Sequence, residues 1–211
     1  MKEIDLPSVP QFIMTMSPET ISPEPNIDED GRPWFTIGTM DFSETNKLLT
    51  IVKSNGSKIL YATTWLESLM EELLMYFFMG GDGFASEKNF IFKNDVLGAS
   101  GFSFSLKKET CTKIVNKFEL LKGKNKTKFQ KSLKDIMDWR NAFAHGTLGY
   151  DGGQKKCYVN YYQGEQKRLY LDDDFWSKCE DTFKQANELV LTLNKKLRDE
   201  ISKNSSEQPS T

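Results

Sequence analysis

The chain has 211 residues, 28 basic and 30 acidic side chains, and a formal net charge of −2. That length suits one large domain, or one domain with extensions, able to bury a core without disulfides or metals. No apolar run approaches a membrane span, the start MKEIDLPSVPQF lacks a signal-peptide pattern, and the overall charge does not announce nucleic acid.

Six of the seven prolines fall in residues 1–33, so an irregular Pro-rich extension is expected over 1–42, with Trp34–Ile37 as a short strand. Ser43 can cap a helix that Asn55-Gly56 should end near Ser54. Ser57 caps a second, longer helix with Ile59, Ala62, Leu66, Leu69, Met70, Leu73 and Phe77 at helical spacing, stopped by Gly80-Gly81. Residues 81–104 read as a long connection rich in glycine and phenylalanine. A third helix from Ser105 carries Leu106, Ile114, Val115, Phe118 and Leu121, and Gly123 ends it.

A fourth helix runs from about Lys126 to His145, with Phe129, Leu133, Ile136, Met137 and Ala144 inward and Gly146 as its stop. CYVNYY and KRLYL flank Gln163-Gly164-Glu165 and predict a β-hairpin over about 156–171. Asp172 caps a last helix to about Ile201, with Phe175, Cys179, Phe183, Ala186, Val190, Leu193 and Leu197 in its buried stripe. The fold class is mainly α: a helical bundle over 43–201 with a hairpin inserted before the last helix, then a disordered tail over 202–211.

Cys111, Cys157 and Cys179 are odd in number and lack a CxxC, so neither a disulfide framework nor a thiolate zinc site is indicated. A single histidine removes any His-rich metal site. No metal and no cofactor are expected, and a cytoplasmic location fits.

That histidine lies in DWRNAFAHG, residues 138–146. Asp138, Asn141 and His145 are three and four apart and share one helical face, with Arg140 beside them, nearer the apolar face of Met137 and Ala144 but long enough to bring its guanidinium to the imidazole. A histidine can take a proton from a ribose 2′-hydroxyl or give one to a leaving 5′-oxygen. An arginine can hold the phosphorane charge, and an asparagine can orient either partner. One chain supplies one histidine, so a symmetric dimer with two such helices would complete an acid–base pair. Ten lysines against Glu109 and Glu119 lie between Lys107 and Lys134. Of these, Lys124, Lys126, Lys128, Lys131 and Lys134 are candidate RNA contacts, and a plain solvated face is the alternative.

The Arg140-x4-His145 spacing, with Asn141 after the Arg and FAHG around the His, resembles the HEPN superfamily, as does the KIVNKFELL…LKDIMDWRN layout before it. The resemblance implies a bundle over roughly 43–201 and a homodimer. It also implies a metal-independent endoribonuclease, with RNA as substrate and an antitoxin or regulatory protein as partner in a toxin–antitoxin or phage-defence setting. Arg140, Asn141 and His145 would be catalytic and Asp138 supporting. Other members of that superfamily are non-catalytic modules that bind nucleotide, RNA or protein, which is the alternative function here. Plainer roles exist for each residue. Arg140 can pair with Glu67 or Glu71, His145 can cap its helix, and Asp138 can sit in a surface ion pair. Trp139, Phe143, Tyr158, Tyr161 and Tyr162 can serve packing rather than base stacking.

Overall fold

The computed structural model describes residues 13–15, 26–27, 29–34, 42–80 and 86–206. These fall into two compact units, one drawn from the ranges Met1–Lys58 and Asn141–Trp176, the other from Ile59–Arg140 and Ser177–Thr211. Helices dominate, as expected, and strands are confined to the first unit.

The first unit holds strands β1 (Ile13–Thr15), β2 (Asn26–Ile27) and β3 (Pro33–Trp34), and then β4 (Thr147–Asp151), β5 (Lys156–Tyr162) and β6 (Gln166–Tyr170). The expected hairpin is β5–β6, with Tyr162 paired to Gln166 around the Gln163-Gly164-Glu165 loop. It belongs to a larger sheet of order β1-β4-β5-β6, in which β4 is antiparallel to β5 and β1 is parallel to β4. The extension predicted as irregular therefore contributes a strand to this sheet and a short β2–β3 ribbon. Of the strand expected over Trp34–Ile37, Trp34 is in β3 and residues 35–37 lie outside the described residues. One face of the sheet packs inward through the buried Tyr150, Cys157 and Val159.

Helix α1 (Phe42–Met79) starts in the first unit and continues into the second without the break expected at Asn55-Gly56. Ser43 lies inside it, and Ser57 donates its hydroxyl to the Lys53 carbonyl at 3.0 Å instead of capping a new helix. Gly56 is there for closeness: a Cβ on it would lie 2.7 Å from Phe143 Cδ1.

In the second unit, the expected long connection folds from Glu87 onward into α2 (Glu87–Ile91) and a π-helical turn, Phe92–Leu97. Ser86 caps α2 by accepting from the Asn89 N–H at 3.2 Å. Helix α3 (Phe104–Lys117) stops short of Gly123, because Glu119 adopts φ +50° and the Leu120 N–H turns back to the Val115 carbonyl. Gly123 begins α4 (Gly123–His145) instead of ending α3. Helix α5 (Asp173–Ser206) follows the N-cap Asp172, whose carboxylate accepts from the Phe175 N–H at 3.1 Å. It runs through residues 202–206 of the expected tail, and 207–211 lie outside the described residues.

The core of this unit is Leu66, Met70, Leu73, Val115, Phe129, Leu133, Ile136, Val190 and Leu193. Three residues expected inward face solvent instead: Leu106, Phe118 and Ala144. No helix among the described residues is long and apolar enough to cross a membrane.

Candidate functional site

Helix α4 turns Phe129, Leu133, Ile136, Trp139 and Ala142 inward, all buried. At 100° per residue this leaves an outer face on which Asp138, Asn141 and His145 lie within about 60° of one another. His145 is exposed, and Asp138 and Asn141 are half-buried. Lys124, Lys131 and Lys134 project from the same face, within about 60° of the His145 direction, while Lys126 and Lys128 sit at its two edges. Lys126 is half-buried and the other four are exposed. Along α4 Lys134 precedes His145 by eleven residues and Lys124 by twenty-one. The lysines form a track toward the histidine, not a cluster around it.

Arg140 is placed differently. It leaves the helix about 140° around from His145, on the side of Phe129, Leu133 and Ile136, and is half-buried. The helix thus gathers Asn141 and His145, with Asp138, and roots Arg140 on another side. Glu67 and Glu71, the acids considered for Arg140, are both engaged by Lys107 Nζ at 2.7 and 2.6 Å. Lys107 is buried, unlike the rest of the lysine run. Burial works against its charge, but the hydrogen bonds to Glu67 and Glu71 outweigh it and raise the ammonium pKa.

The end of α4 is fixed on both sides. Phe143 packs against Gly56 and lies 6.4 and 6.0 Å from the Phe175 and Trp176 rings. Trp139 is buried under Lys178, 5.7 Å from its ring centroid. Both aromatics serve packing. The Gly146 N–H donates to Ala142 O at 2.8 Å, and a Cβ on Gly146 would lie 2.3 Å from that oxygen and 2.8 Å from Asn160 O. Only glycine lets the chain pass from the His145 turn straight into β4.

Directly opposed residues of an antiparallel pair share a face. Through the pairs Thr147–Asn160, Gly149–Tyr158, Asn160–Arg168 and Tyr162–Gln166, the outer face of the sheet carries Tyr158, Asn160, Tyr162, Arg168 and Tyr170. Tyr161 is on the opposite face. Tyr158 lies flat over Gly149, where a Cβ would sit 2.4 Å from its ring, and is wholly buried. The Arg168 guanidinium stacks on it at 4.1 Å, and Arg168 Nε donates to Asn160 Oδ1 at 3.0 Å. Tyr170 donates to Asp151 Oδ2 at 3.0 Å. The Asp151 carboxyl is held below its usual range, first by the Gln154 N–H and also by Tyr170. Arg168 went unrecognised in the sequence, although a three-residue turn at Gln163–Glu165 already sets it opposite Asn160.

The cysteines offer no nucleophile. Burial pushes the Cys111 and Cys179 thiols up to about 12 and raises Cys157 as well, so all three stay protonated. Among the described residues no three His, Cys, Asp or Glu side chains are grouped to hold a metal. A cleft of about 320 Å³ lies in the second unit between Trp65, Leu69, Glu71, Glu72, Met75 and Lys93. None of the predicted site residues lines it. No family model, curated protein or solved structure matches the chain.

Proposed function

We propose that this chain is an endoribonuclease of HEPN type, cutting RNA without a metal and working as a homodimer in the cytoplasm. His145 moves the proton at the 2′-hydroxyl or the leaving oxygen. Asn141, one turn earlier on the same face, orients the imidazole or the scissile phosphate, and Asp138 supports it. Arg140, rooted about 140° around the helix, reaches back along its long side chain to neutralise the scissile phosphate. Lys124, Lys126, Lys128, Lys131 and Lys134 draw the polyanion along α4. A toxin–antitoxin or phage-defence setting, with an antitoxin or regulatory protein as partner, belongs to the same reading.

One observation carries it: the chain's single histidine is exposed at the end of α4, on the face that also presents Asn141 and the exposed Lys131 and Lys134. Purified full-length protein should cleave RNA in the presence of a chelator, and His145→Ala should reduce the rate at least about 100-fold. Equal cleavage by the two proteins would remove the mechanism.

A second reading is a non-catalytic module that binds RNA, nucleotide or a partner protein. It is favoured by Arg140, which is half-buried and rooted on the apolar side of α4. That reading expects His145→Ala to weaken binding, with no turnover by the wild type.

A further inference from the structure

We propose that the outer face of the β4–β5–β6 sheet is a platform for single-stranded RNA, with Tyr162 stacking on a base and Arg168 holding a backbone phosphate. The inference rests on the RNA reading above and extends its substrate surface beyond α4.

Two side chains on this face are unlike their neighbours. Tyr162 is 78 % exposed, although a tyrosine normally buries most of its ring. An aromatic face held open on a rigid strand is the element that single-stranded nucleic acid uses, because every base offers a π-face. Arg168 is the second. Its position is fixed by the Tyr158 ring beneath it and by the bond from Nε to Asn160. Lys156, the other cation of this face, is paired to Asp172 at 2.8 Å, whereas Arg168 is held by Asn160 and Tyr170 and feels the Asp151 carboxylate without a direct salt bridge to it among the described residues. A guanidinium that is exposed, seated on a ring and tied at Nε, with no direct salt bridge, is suited to a phosphate, since little side-chain freedom remains to be lost on binding.

The register ties this face to the proposed chemistry. Thr147 pairs with Asn160, which pairs with Arg168 on the other side. His145 lies two residues before Thr147, and Tyr162 two residues beyond Asn160 at the same end of the sheet. Each step of two strand residues covers about 7 Å, and each strand-to-strand step about 5 Å. A strand of a few nucleotides lying across β5 and β6 thus reaches the end of α4. Its single-strandedness follows from the stacking, which a base inside a duplex cannot offer.

Binding of the full-length protein to a labelled 2′-O-methyl oligouridine, which lacks the free 2′-hydroxyl needed for cleavage, tests this. Tyr162→Ala should weaken binding about 5- to 100-fold, while Tyr162→Phe keeps it. Arg168→Gln should weaken binding and flatten the plot of log affinity against log salt by about 0.7. Wild-type binding with unchanged affinity in Tyr162→Ala and an unchanged slope in Arg168→Gln overturns the platform. The His145 mechanism then stands or falls on its own cleavage assay. Tighter binding of a duplex than of the single strand also overturns the platform. A wild type that neither binds nor cleaves RNA sinks both ideas together.

Discussion

Gly56 shows how one side chain decides whether a helix continues. A glycine inside a helix costs about 1 kcal/mol relative to alanine, and Asn55-Gly56 is a strong local stop signal. The helix persists because Phe143 occupies the space where a Cβ would go, 2.7 Å from its Cδ1, with Phe175 and Trp176 on its other sides. Two effects oppose each other in Gly56→Ala: a gain of about 1 kcal/mol in helix propensity and an overpacking cost of about 1–3 kcal/mol. Overpacking is expected to win, and the variant to unfold at lower urea. In a Phe143→Ala background the obstacle is gone, so the same change should become stabilising by up to about 1 kcal/mol. A double-mutant cycle in urea that shows the same sign in both backgrounds would disprove the contact as the reason for the glycine.

At the scale of elements, the junction of β6 and α5 combines a cap with an ion pair. Asp172 accepts from the Phe175 N–H at 3.1 Å and from Lys156 at 2.8 Å. The Lys156 ammonium, then the Phe175 N–H, hold its carboxyl below the usual range. Asp172→Ala should cost about 1 kcal/mol near neutral pH, the usual loss of a cap. Because the folded carboxyl is the stronger acid, this contribution is complete above the unfolded value of about 3.9 and is lost as pH falls through the folded one. Urea midpoints of wild type and variant should therefore converge in acid, and a gap that persists at low pH would contradict the assignment. Asp172 was legible as a cap in the sequence because its signal is local, and so were α4, α5 and the β5–β6 hairpin. The continuous α1, the early stop of α3 and strand β4 were not. The first depends on Phe143, some ninety residues away in the chain. The second depends on Glu119 adopting a left-handed conformation usually left to glycine. The third is a five-residue strand whose Gly149 argues against it until Tyr158 is seen lying over that glycine.

For the whole molecule, the motif was readable as spacing but not as a site. Periodicity set Asp138, Asn141 and His145 on one face, where they are. It also set Arg140 nearer the apolar face, where the half-buried side chain is, but it paired Arg140 there with Ala144, which faces outward. Nor could it set Arg168 on Tyr158, a contact made by strand register. One histidine per chain leaves the proposed reaction short of either its acid or its base, and a second copy is the economical source of the other. Mixing the wild type with inactive His145→Ala, after exchange of subunits, separates the cases. If each cut needs a histidine from both chains, only wild-type pairs work, and an equal mixture retains about a quarter of the activity of the same total amount of wild type. If one histidine suffices, the mixture retains about half. The quarter is the expected result, since both proton transfers then have a group of the right kind. Activity that follows the wild-type fraction, one half at equal mixing, would assign each site to a single chain and would require the second proton to pass through water.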